Sequence, residues 1–371
     1  MISPLNQRLL LTPEQLEKLP IKHPLRSCGT ADSPMIQALT GRESSHRPVW
    51  FMRQAGRSLP EYLKAREGIA MLDACLNPEL AAEITLQPVR RHGVDAAIFF
   101  SDIVVPMKLA GIDVDIVPGR GPVLDKPVRT LGDIENLPEL EDSALDPIRE
   151  AVALTVAELG STPLIGFAGA PFTVAAYMVE GGPSRDHLRP RTMMHSDPRA
   201  WDALGQWAAR TSGQFLRAQV EAGASAIQLF DSWAGSLSEA DYRRFVQKHS
   251  ASALAAVEEF GVPRIHFGTG TAELLPAMHE AGADIIGVDY RLKLAEAERR
   301  LGGGVPLQGN IDPALLASGW DALKQHTDEV LVDGQAAPTH IVNLGHGVPP
   351  STDPTILTQL VEYIHTTTAQ H

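Results

Sequence analysis

The sequence predicts an α/β protein of the (β/α)8 or TIM-barrel class with a short helical N-terminal extension. Short apolar runs alternate with segments that begin like amphipathic helices, which is the pattern of a parallel sheet covered by helices. A helix-and-strand unit also recurs along the chain, and 371 residues suit one barrel domain. The eight runs that we expect to be strands are 49–52, 96–100, 164–167, 226–230, 264–267, 284–288, 305–307 and 340–343.

The N-terminal extension should contain a short helix, and a second one should lead into the barrel. Residues 12–15 read Thr-Pro-Glu-Gln, the pattern of a capping box with proline at the first helical position. The Ser-Pro pair at 33–34 opens the second helix, which Gly41 can close. We therefore assign residues 1–33 to the extension and residues 34–371 to a single barrel domain.

Three parts of the barrel repeat one unit. Each is a helix that ends at a glycine, followed by a short connection, an apolar strand and a carboxylate. The glycine and carboxylate of the three units are Gly93 and Asp102, Gly223 and Asp231, and Gly282 and Asp289. Eight strands built this way favour a closed barrel over a doubly wound sheet. Residues 113–127 break the alternation, and their Pro-Gly-Arg-Gly-Pro turn predicts a hairpin or lid inserted after the second strand.

Composition excludes several classes of protein. A formal net charge of -13 and a pI near 5.4 disfavour nucleic acid or an anionic membrane as the main partner. No apolar run approaches the length of a membrane span, and the N-terminus lacks the core of a signal peptide, so we expect a cytoplasmic protein. The two cysteines, Cys28 and Cys75, lack the spacing of a thiolate zinc site.

A basic stretch at residues 48–60 stands out in this acidic chain. Arg53 and Arg57 lie four residues apart around Gly56. One interpretation is a solvated basic face; the other is an anchor for carboxylates or phosphates, which arginine binds bidentately. Arg53 directly follows an apolar run, as a residue at the end of a buried strand would, and Gly56 lets the backbone approach a ligand. These features favour a small anionic ligand.

In such barrels chemistry takes place at the carboxyl ends of the strands. Asp102 follows an apolar run and should emerge into the pocket, with a helix N-cap as the alternative. His346 lies between two glycines, a setting that allows a ligand to approach closely, and the alternative is a structural or solvated loop histidine. Tyr177 lies on the helix after the third strand, where a core tyrosine is the default. For Asp231 and Asp289 a capping or supporting role is the favoured interpretation.

Two long segments resemble the signature sequences of the uroporphyrinogen decarboxylase family. Residues 48–57 read Pro-Val-Trp-Phe-Met-Arg-Gln-Ala-Gly-Arg. Residues 166–181 read Gly-Phe-Ala-Gly-Ala-Pro-Phe-Thr-Val-Ala-Ala-Tyr-Met-Val-Glu-Gly. Four shorter matches follow in the family's order, at 100–103, 229–232, 307–313 and 343–347.

The resemblance implies a (β/α)8 barrel, usually a homodimer, that acts in tetrapyrrole (haem) biosynthesis. The implied reaction removes carbon dioxide from the four acetate side chains of uroporphyrinogen III and gives coproporphyrinogen III, with no metal or organic cofactor. The implied catalytic residues are Asp102 and Arg53. The implied substrate-binding residues are Arg53, Gln54, Ala55, Gly56, Arg57, Arg66, Asp102, Tyr177, Ser232 and His346.

The reaction chemistry agrees with these roles. The electrons left by carbon dioxide need an acceptor, which a protonated pyrrole provides, and Asp102 could stabilise the resulting cation. The identity of the proton donor stays open, because arginine is a poor acid near neutral pH. Two rival functions are considered. One is a zinc-dependent methyltransferase of a related branch, but its His-x-Cys ligand pair reads His266-Phe-Gly268 here. The other is a non-catalytic tetrapyrrole carrier.

Overall fold

A computed structural model describes residues 11–27 and 29–369, so Cys28 and the first ten residues of the predicted extension lie outside the described part. Seven parallel strands form one sheet in the order β1-β4-β5-β6-β7-β8-β9, and β2 and β3 form a separate antiparallel pair. The strands are β1 Ala97–Ile98, β2 Val114–Val117, β3 Gly121–Leu124, β4 Leu164–Gly169, β5 Ala226–Asp231, β6 Arg264–Gly268, β7 Ile285–Gly287, β8 Leu307–Gln308 and β9 His340–Ile341.

Helices fill most of the sequence between the strands. They are α1 Pro13–Lys18, α2 Pro34–Leu39, α3 Pro60–Ala65, α4 Met71–Leu76, α5 Pro78–His92, α6 Val105–Leu109, α7 Leu131–Glu135, α8 Asp146–Leu159, α9 Pro171–Glu180, α10 Leu188–Ser196, α11 Pro198–Ala222, α12 Glu239–Phe245, α13 Gln247–Ala255, α14 Leu275–Glu280, α15 Leu294–Leu301, α16 Trp320–Asp333 and α17 Pro354–Thr368. None of these helices is both long enough and apolar enough to cross a membrane.

Local sequence accounts for where many helices begin and end. The predicted capping box is confirmed, since Thr12 accepts from the backbone N–H of Gln15 while the Gln15 side chain accepts from Thr12. At α2 the Ser33 side chain accepts from the Ile36 N–H, without a reciprocal bond. The glycines predicted to follow α5, α11 and α14 all have positive φ, so each helix ends where glycine allows the chain to turn.

The parallel sheet is curled, and one segment contacts both of its edges. On one side, the Trp50 N–H donates to the Val342 carbonyl at 3.3 Å, and the Val342 N–H donates to the Pro48 carbonyl at 2.8 Å. On the other side, the Asp95 N–H, just before β1, donates to the Val49 carbonyl at 2.9 Å. Residues 48–50 therefore lie between the last strand and the first.

The predicted strand at 49–52 is wrong in its extent, whereas an observed strand overlaps each of the seven other predicted runs. Only Val49 makes a bridge, to Val342. Beyond it, side chains replace the ladder: the Phe51 N–H donates to Gln54 Oε1 and the Met52 N–H to Asn343 Oδ1, both at 3.0 Å. The chain turns away from the sheet at this point, so these four apolar residues are buried without forming a regular strand.

Buried polar side chains connect distant parts of the curled sheet. Trp50 Nε1 donates to Gln308 Oε1 at 3.0 Å, and Gln308 Nε2 donates to Gln228 Oε1 at 2.9 Å. All three residues are 0–1% exposed. This chain of hydrogen bonds satisfies polar groups that the apolar interior would otherwise leave unpaired.

The predicted hairpin after the second apolar run is confirmed. Strands β2 and β3 pair through a tight turn at residues 118–120, and the Arg120 N–H donates to the Val117 carbonyl at 3.0 Å. The last residue of β3 contacts the end of α9, where the Leu124 N–H donates to the Gly181 carbonyl at 3.0 Å. The insertion therefore packs on the helix that carries Tyr177.

Candidate active site

Arg53 occupies the turn that follows the buried segment 49–52. Its φ is 61°, in the left-handed region that arginine rarely adopts. The side chain lies over Gly347, where an added Cβ would come within 2.5 Å of Arg53 Cδ. Arg53 is exposed, and within the described residues neither Arg53 nor Arg57 has a carboxylate within salt-bridge distance. Both guanidinium groups therefore lack an acidic partner.

The three residues between these arginines differ in their surroundings. Gln54 is fully buried, and besides accepting from the Phe51 N–H its side-chain amide donates to the Ala96 carbonyl at 3.0 Å. Its side chain thus holds the turn against the start of β1. Ala55 and Gly56 are partly exposed, and a Cβ at Gly56 would lie 3.1 Å from the Arg53 carbonyl oxygen.

Asp102 lies beyond the carboxyl end of β1 and is half-buried. Its Oδ1 accepts from the Val104 N–H at 3.1 Å. Val104 itself occupies the N-cap position of α6, which has no side-chain cap, so Asp102 is not the helix N-cap considered as the alternative. Burial raises the pKa of the Asp102 carboxyl, and the Val104 N–H and the positive charge of Arg53 only partly offset this effect. Because burial makes the Asp102 carboxyl costly to ionise, a cation placed beside it stabilises its ionised form.

Tyr177 lies on α9 in a stack of rings. Its ring is 3.8 Å from that of Trp233, centroid to centroid, and the His187 ring lies 4.3 Å from Trp233 on the same basis. Burial, followed by the negative charge of Asp102, raises the pKa of Tyr177 to about 12. The phenol therefore stays protonated at neutral pH and is a hydrogen-bond donor close to Asp102.

Asp231 supports this stack rather than facing solvent. It is fully buried, and Thr173 Oγ1 donates to its Oδ1 at 2.8 Å. The same Thr173 oxygen accepts from the Trp233 N–H at 3.3 Å. The favoured interpretation of Asp231 as a supporting residue agrees with these contacts.

His346 follows β9 and is half-buried. Its Nδ1 accepts from the Gly347 N–H at 2.8 Å, so a neutral ring carries its proton on Nε2. Burial lowers the pKa of His346, and the charges of Arg53 and Arg291 lower it further. The imidazole is thus a neutral donor on the same side of the curled sheet as Arg53.

Arg66 is tied to its own helix end instead of being free like Arg57. It donates to the Tyr62 hydroxyl at 2.8 Å and to the Ile69 carbonyl at 2.9 Å. Ser232, which follows β5, is exposed beside Trp233.

Sequence reasoning missed two residues at these strand ends. Trp233 directly follows the matched segment 229–232, so its position next to a strand end was the available signal. Arg291 lies two residues after Asp289, whose Oδ2 it contacts, and its guanidinium stacks 4.4 Å from the centre of the Tyr290 ring. Asp289 also accepts from the Gly270 N–H at 2.6 Å, which agrees with its expected supporting role.

A family model described as uroporphyrinogen decarboxylase (URO-D) matches residues 30–367 of this chain. The chain belongs to the uroporphyrinogen decarboxylase family. The resemblance found in the sequence motifs is thereby confirmed, and the match covers the sheet, the hairpin and every site residue described above.

Curated relatives in this family are similar over nearly their whole length. A uroporphyrinogen decarboxylase of Arthrobacter sp. (strain FB24) is 71% identical over 91% of this chain and 97% of its own. Those of Leifsonia xyli subsp. xyli and Streptomyces avermitilis are each 58% identical over 92% of this chain, and over 97% and 96% of their own lengths.

A solved structure described as a methyltransferase from Methanosarcina mazei shares the fold. It aligns with a TM-score of 0.75 over 91% of this chain and 99% of its own, at 19% identity. Since the sequences are so different, this likeness concerns the fold alone.

Proposed function

We propose that this member of the uroporphyrinogen decarboxylase family removes the four acetate carboxyl groups of uroporphyrinogen III as carbon dioxide and gives coproporphyrinogen III. The observation that carries the proposal is the pairing of two unpartnered arginines, Arg53 and Arg57, with the half-buried Asp102 at one end of the barrel. A polycarboxylate whose rings become cationic during the reaction fits this arrangement. Its anionic side chains match the arginines, and its positive reacting ring matches Asp102.

The arginines bind the carboxylates of the substrate. Among residues 11–27 and 29–369, no acidic side chain competes for the planar guanidinium groups of Arg53 and Arg57. Ala55 and Gly56 let the backbone between the two arginines approach the ligand. The Gln54 side chain is bonded within the protein, and its backbone N–H donates to the Phe51 carbonyl at 3.0 Å, so Gln54 belongs to the proposed binding loop as the residue that fixes its shape. Arg66, Ser232, Tyr177 and His346 complete the proposed binding set.

The reaction needs an acceptor for electrons. A proton added to a pyrrole carbon makes the ring electron-poor, and the bond to the departing carboxylate then supplies electrons to the ring. A proton next adds to the exposed methylene carbon to form a methyl group, and the ring releases the proton that it gained. Each acetate therefore consumes one proton and yields one carbon dioxide.

We assign stabilisation of the cationic ring to Asp102. Its carboxylate can accept pyrrole N–H bonds, and a cation beside it relieves the cost of keeping it ionised in a buried position. Arg53 is the second catalytic residue in this proposal, because its charge acts on Asp102 and it can hold the carboxylate that leaves. Tyr177 and His346 act as neutral donors.

We also propose that residues 48–52 complete a closed (β/α)8 barrel. The hydrogen bonds of this segment to both edges of the curled sheet support this arrangement. Residues 34–371 form the single catalytic domain in this proposal, and residues 1–33 are an extension without a catalytic role. A cytoplasmic homodimer is the proposed state of the enzyme.

This chain lacks the cysteine ligands that the zinc-dependent methyltransferase alternative requires, and it has little room for them. The position that would hold a thiolate is Gly268, where an added Cβ would lie 2.4 Å from the Thr271 side chain. At Gly345, an added Cβ would lie 2.1 Å from the Tyr290 backbone nitrogen. Cysteine does not fit at either position without moving its neighbours, which disfavours this function.

The proposal is tested by anaerobic incubation with uroporphyrinogen III, followed by oxidation and a count of carboxyl groups on each product. We expect the count to fall from eight to four with the wild-type protein. Asp102→Asn should still bind the substrate but lose activity by about a hundredfold or more, because an electrostatic stabiliser is removed. Asp321→Asn, an exposed acid in the first turn of α16, is the matched control. An unchanged count with wild-type protein would identify a carrier, and near-normal turnover by Asp102→Asn would remove Asp102 from the mechanism.

A further inference from the structure

Two histidines and an aspartate meet at the opposite end of the barrel from the proposed active site. His46 Nε2 lies 2.8 Å from Asp95 Oδ1, and His365 Nε2 lies 2.7 Å from Asp95 Oδ2. The two imidazole rings are 4.3 Å apart, centroid to centroid. One ligand atom from each residue can be chosen so that all three lie within 4.8 Å of one another.

The three residues come from separate parts of the chain. His46 precedes the segment 48–50, Asp95 precedes β1, and His365 lies near the end of α17. Asp95 and His46 thus lie at the amino ends of the first two barrel segments, whereas Asp102 and Arg53 lie beyond the carboxyl ends of the same two segments. The cluster is therefore separate from the proposed chemistry.

Neighbouring groups orient the cluster. The Val49 N–H donates to Asp95 Oδ2 at 2.8 Å, and His46 Nδ1 lies 3.1 Å from Ser45 Oγ. Such contacts hold a carboxylate and an imidazole in place, as the outer partners of metal ligands do. The side chains of His46, Asp95 and His365 are 22%, 10% and 29% exposed, so water and ions reach them.

We propose that His46, Asp95 and His365 form a binding site for a divalent transition metal ion, with Zn²⁺ as the best match. Two imidazole nitrogens and one carboxylate oxygen are a donor set that Zn²⁺ accepts, with water completing its tetrahedron. Ligand atoms of tetrahedral Zn²⁺ lie about 3.3 Å apart, given Zn–N and Zn–O bonds of about 2.0–2.1 Å. The two observed N···O distances, 2.8 and 2.7 Å, are hydrogen-bond lengths shorter than this value, so the ion binds as the side chains rotate and metal–ligand bonds replace the two hydrogen bonds.

Each Nε2 must present a lone pair to the metal, so a neutral ring that binds the ion carries its proton on Nδ1. The bound ion connects the last helix to the start of the barrel, which the hydrogen bond from the Arg47 N–H to Thr368 Oγ1 at 2.9 Å also does. The site therefore stabilises the contact between α17 and the segment before residues 48–50. It has no part in the decarboxylation chemistry.

The test is equilibrium dialysis of untagged, EDTA-treated protein against Zn²⁺ alone, with thermal unfolding in parallel. We expect one Zn²⁺ per chain and a higher Tm when Zn²⁺ is present. His365→Gln and His46→Gln should each bind Zn²⁺ at least about tenfold more weakly, since removing a ligand costs more than disturbing an outer partner. Neither variant should then gain Tm from Zn²⁺.

The matched control is His195→Gln, which removes another imidazole beside a carboxylate, that of Asp241 at 3.4 Å. It should bind Zn²⁺ like the wild type. Co²⁺ should give the intense visible absorption of a four-coordinate site in the wild type, and this should disappear in His365→Gln. Absence of stoichiometric Zn²⁺ binding, or equal binding by wild type and both ligand variants, would overturn the proposal. Decarboxylation by EDTA-treated protein is independent of this result, so failure of one proposal does not affect the other.

Discussion

At the scale of single residues, Arg53 combines an unfavourable backbone with an unpartnered charge. Its left-handed conformation costs a residue with a Cβ about 1–2 kcal/mol, and glycine avoids this cost. The surrounding turn holds Arg53 in this conformation. The Gln54 side chain bonds to the backbone of Phe51 and of Ala96, and Gly347 lies against the arginine side chain. Backbone preference does not account for an arginine at this position, whereas anion binding does.

Comparing Arg53→Gly with Arg53→Ala separates these two contributions. Both variants lose the guanidinium group, but only glycine relieves the left-handed backbone. We expect Arg53→Gly to be about 1 kcal/mol more stable than Arg53→Ala in urea unfolding. Equal stability would mean that the turn relaxes to a negative φ when the side chain is lost.

Substrate affinity should depend on both arginines. Arg53→Ala and Arg57→Ala should each weaken binding of the polycarboxylate by about tenfold to a hundredfold, the value of a charge-assisted hydrogen bond of about 1.5–3 kcal/mol. Arg199→Ala, an exposed arginine at the start of α11, should leave affinity unchanged. The measurement is titration under anaerobic conditions, and unchanged affinity in both site variants would show that the basic loop is only a solvated face.

At the scale of elements, the β2–β3 hairpin and α9 act together. The Val128 N–H donates to the Met178 carbonyl at 2.9 Å, one residue beyond Tyr177. Gly181 ends α9 with a φ of 78°, and an added Cβ there would lie 2.5 Å from Pro127 Cγ. The hairpin thus fixes the helix end that carries a proposed substrate contact.

Gly181→Ala tests this packing against a control with the same backbone. Gly68 has a φ of 74°, but an added Cβ would meet nothing within 4 Å. Both alanine variants incur the cost of the left-handed region, so Gly181→Ala should be less stable by a further 1–3 kcal/mol, roughly the cost of overpacking. It should also raise KM by shifting Tyr177, whereas Gly68→Ala should not. Similar stability and KM in the two variants would contradict this role of the hairpin.

At the scale of the whole molecule, buried histidines set the response to acid. Burial lowers the pKa of His23, His92 and His249 from 6.5 to about 4, and burial together with Arg47 lowers that of His340 to about 3. All four are at most 4% exposed. In the unfolded chain these rings take up protons near pH 6.5, whereas in the folded protein they stay neutral down to about pH 4.

Stability should therefore fall as the pH decreases from 6.5 toward 4, because the unfolded state binds more protons in this range. Each histidine should cost about 1.4 kcal/mol by pH 5.5, one unit below its ordinary pKa. Thermal unfolding between pH 7 and pH 5 measures the effect. His92→Gln should reduce the pH dependence by about one proton, and exposed His195→Gln should not. A Tm that is flat over this range would show that these rings are charged in the folded state.

Much of this protein follows from local sequence. Apolar runs of three to five residues, the Thr12 capping box and the glycines after α5, α11 and α14 specify elements through backbone and burial preferences that act within a few residues. The charges at the strand ends are also local, since a parallel barrel places all of those ends on one side. The sequence motifs alone also identified the family.

The tertiary structure decided what those residues contact. The run 49–52 has the composition of a strand, yet the side chains of Gln54 and Asn343, the latter 291 positions after Met52, take its hydrogen bonds and turn it into a buried loop. Likewise, His46 and His365 lie 319 positions apart (365 − 46), yet both imidazoles bond to Asp95. Periodicity and propensity describe neighbours along the chain, whereas these contacts depend on how the sheet curls and brings its ends together.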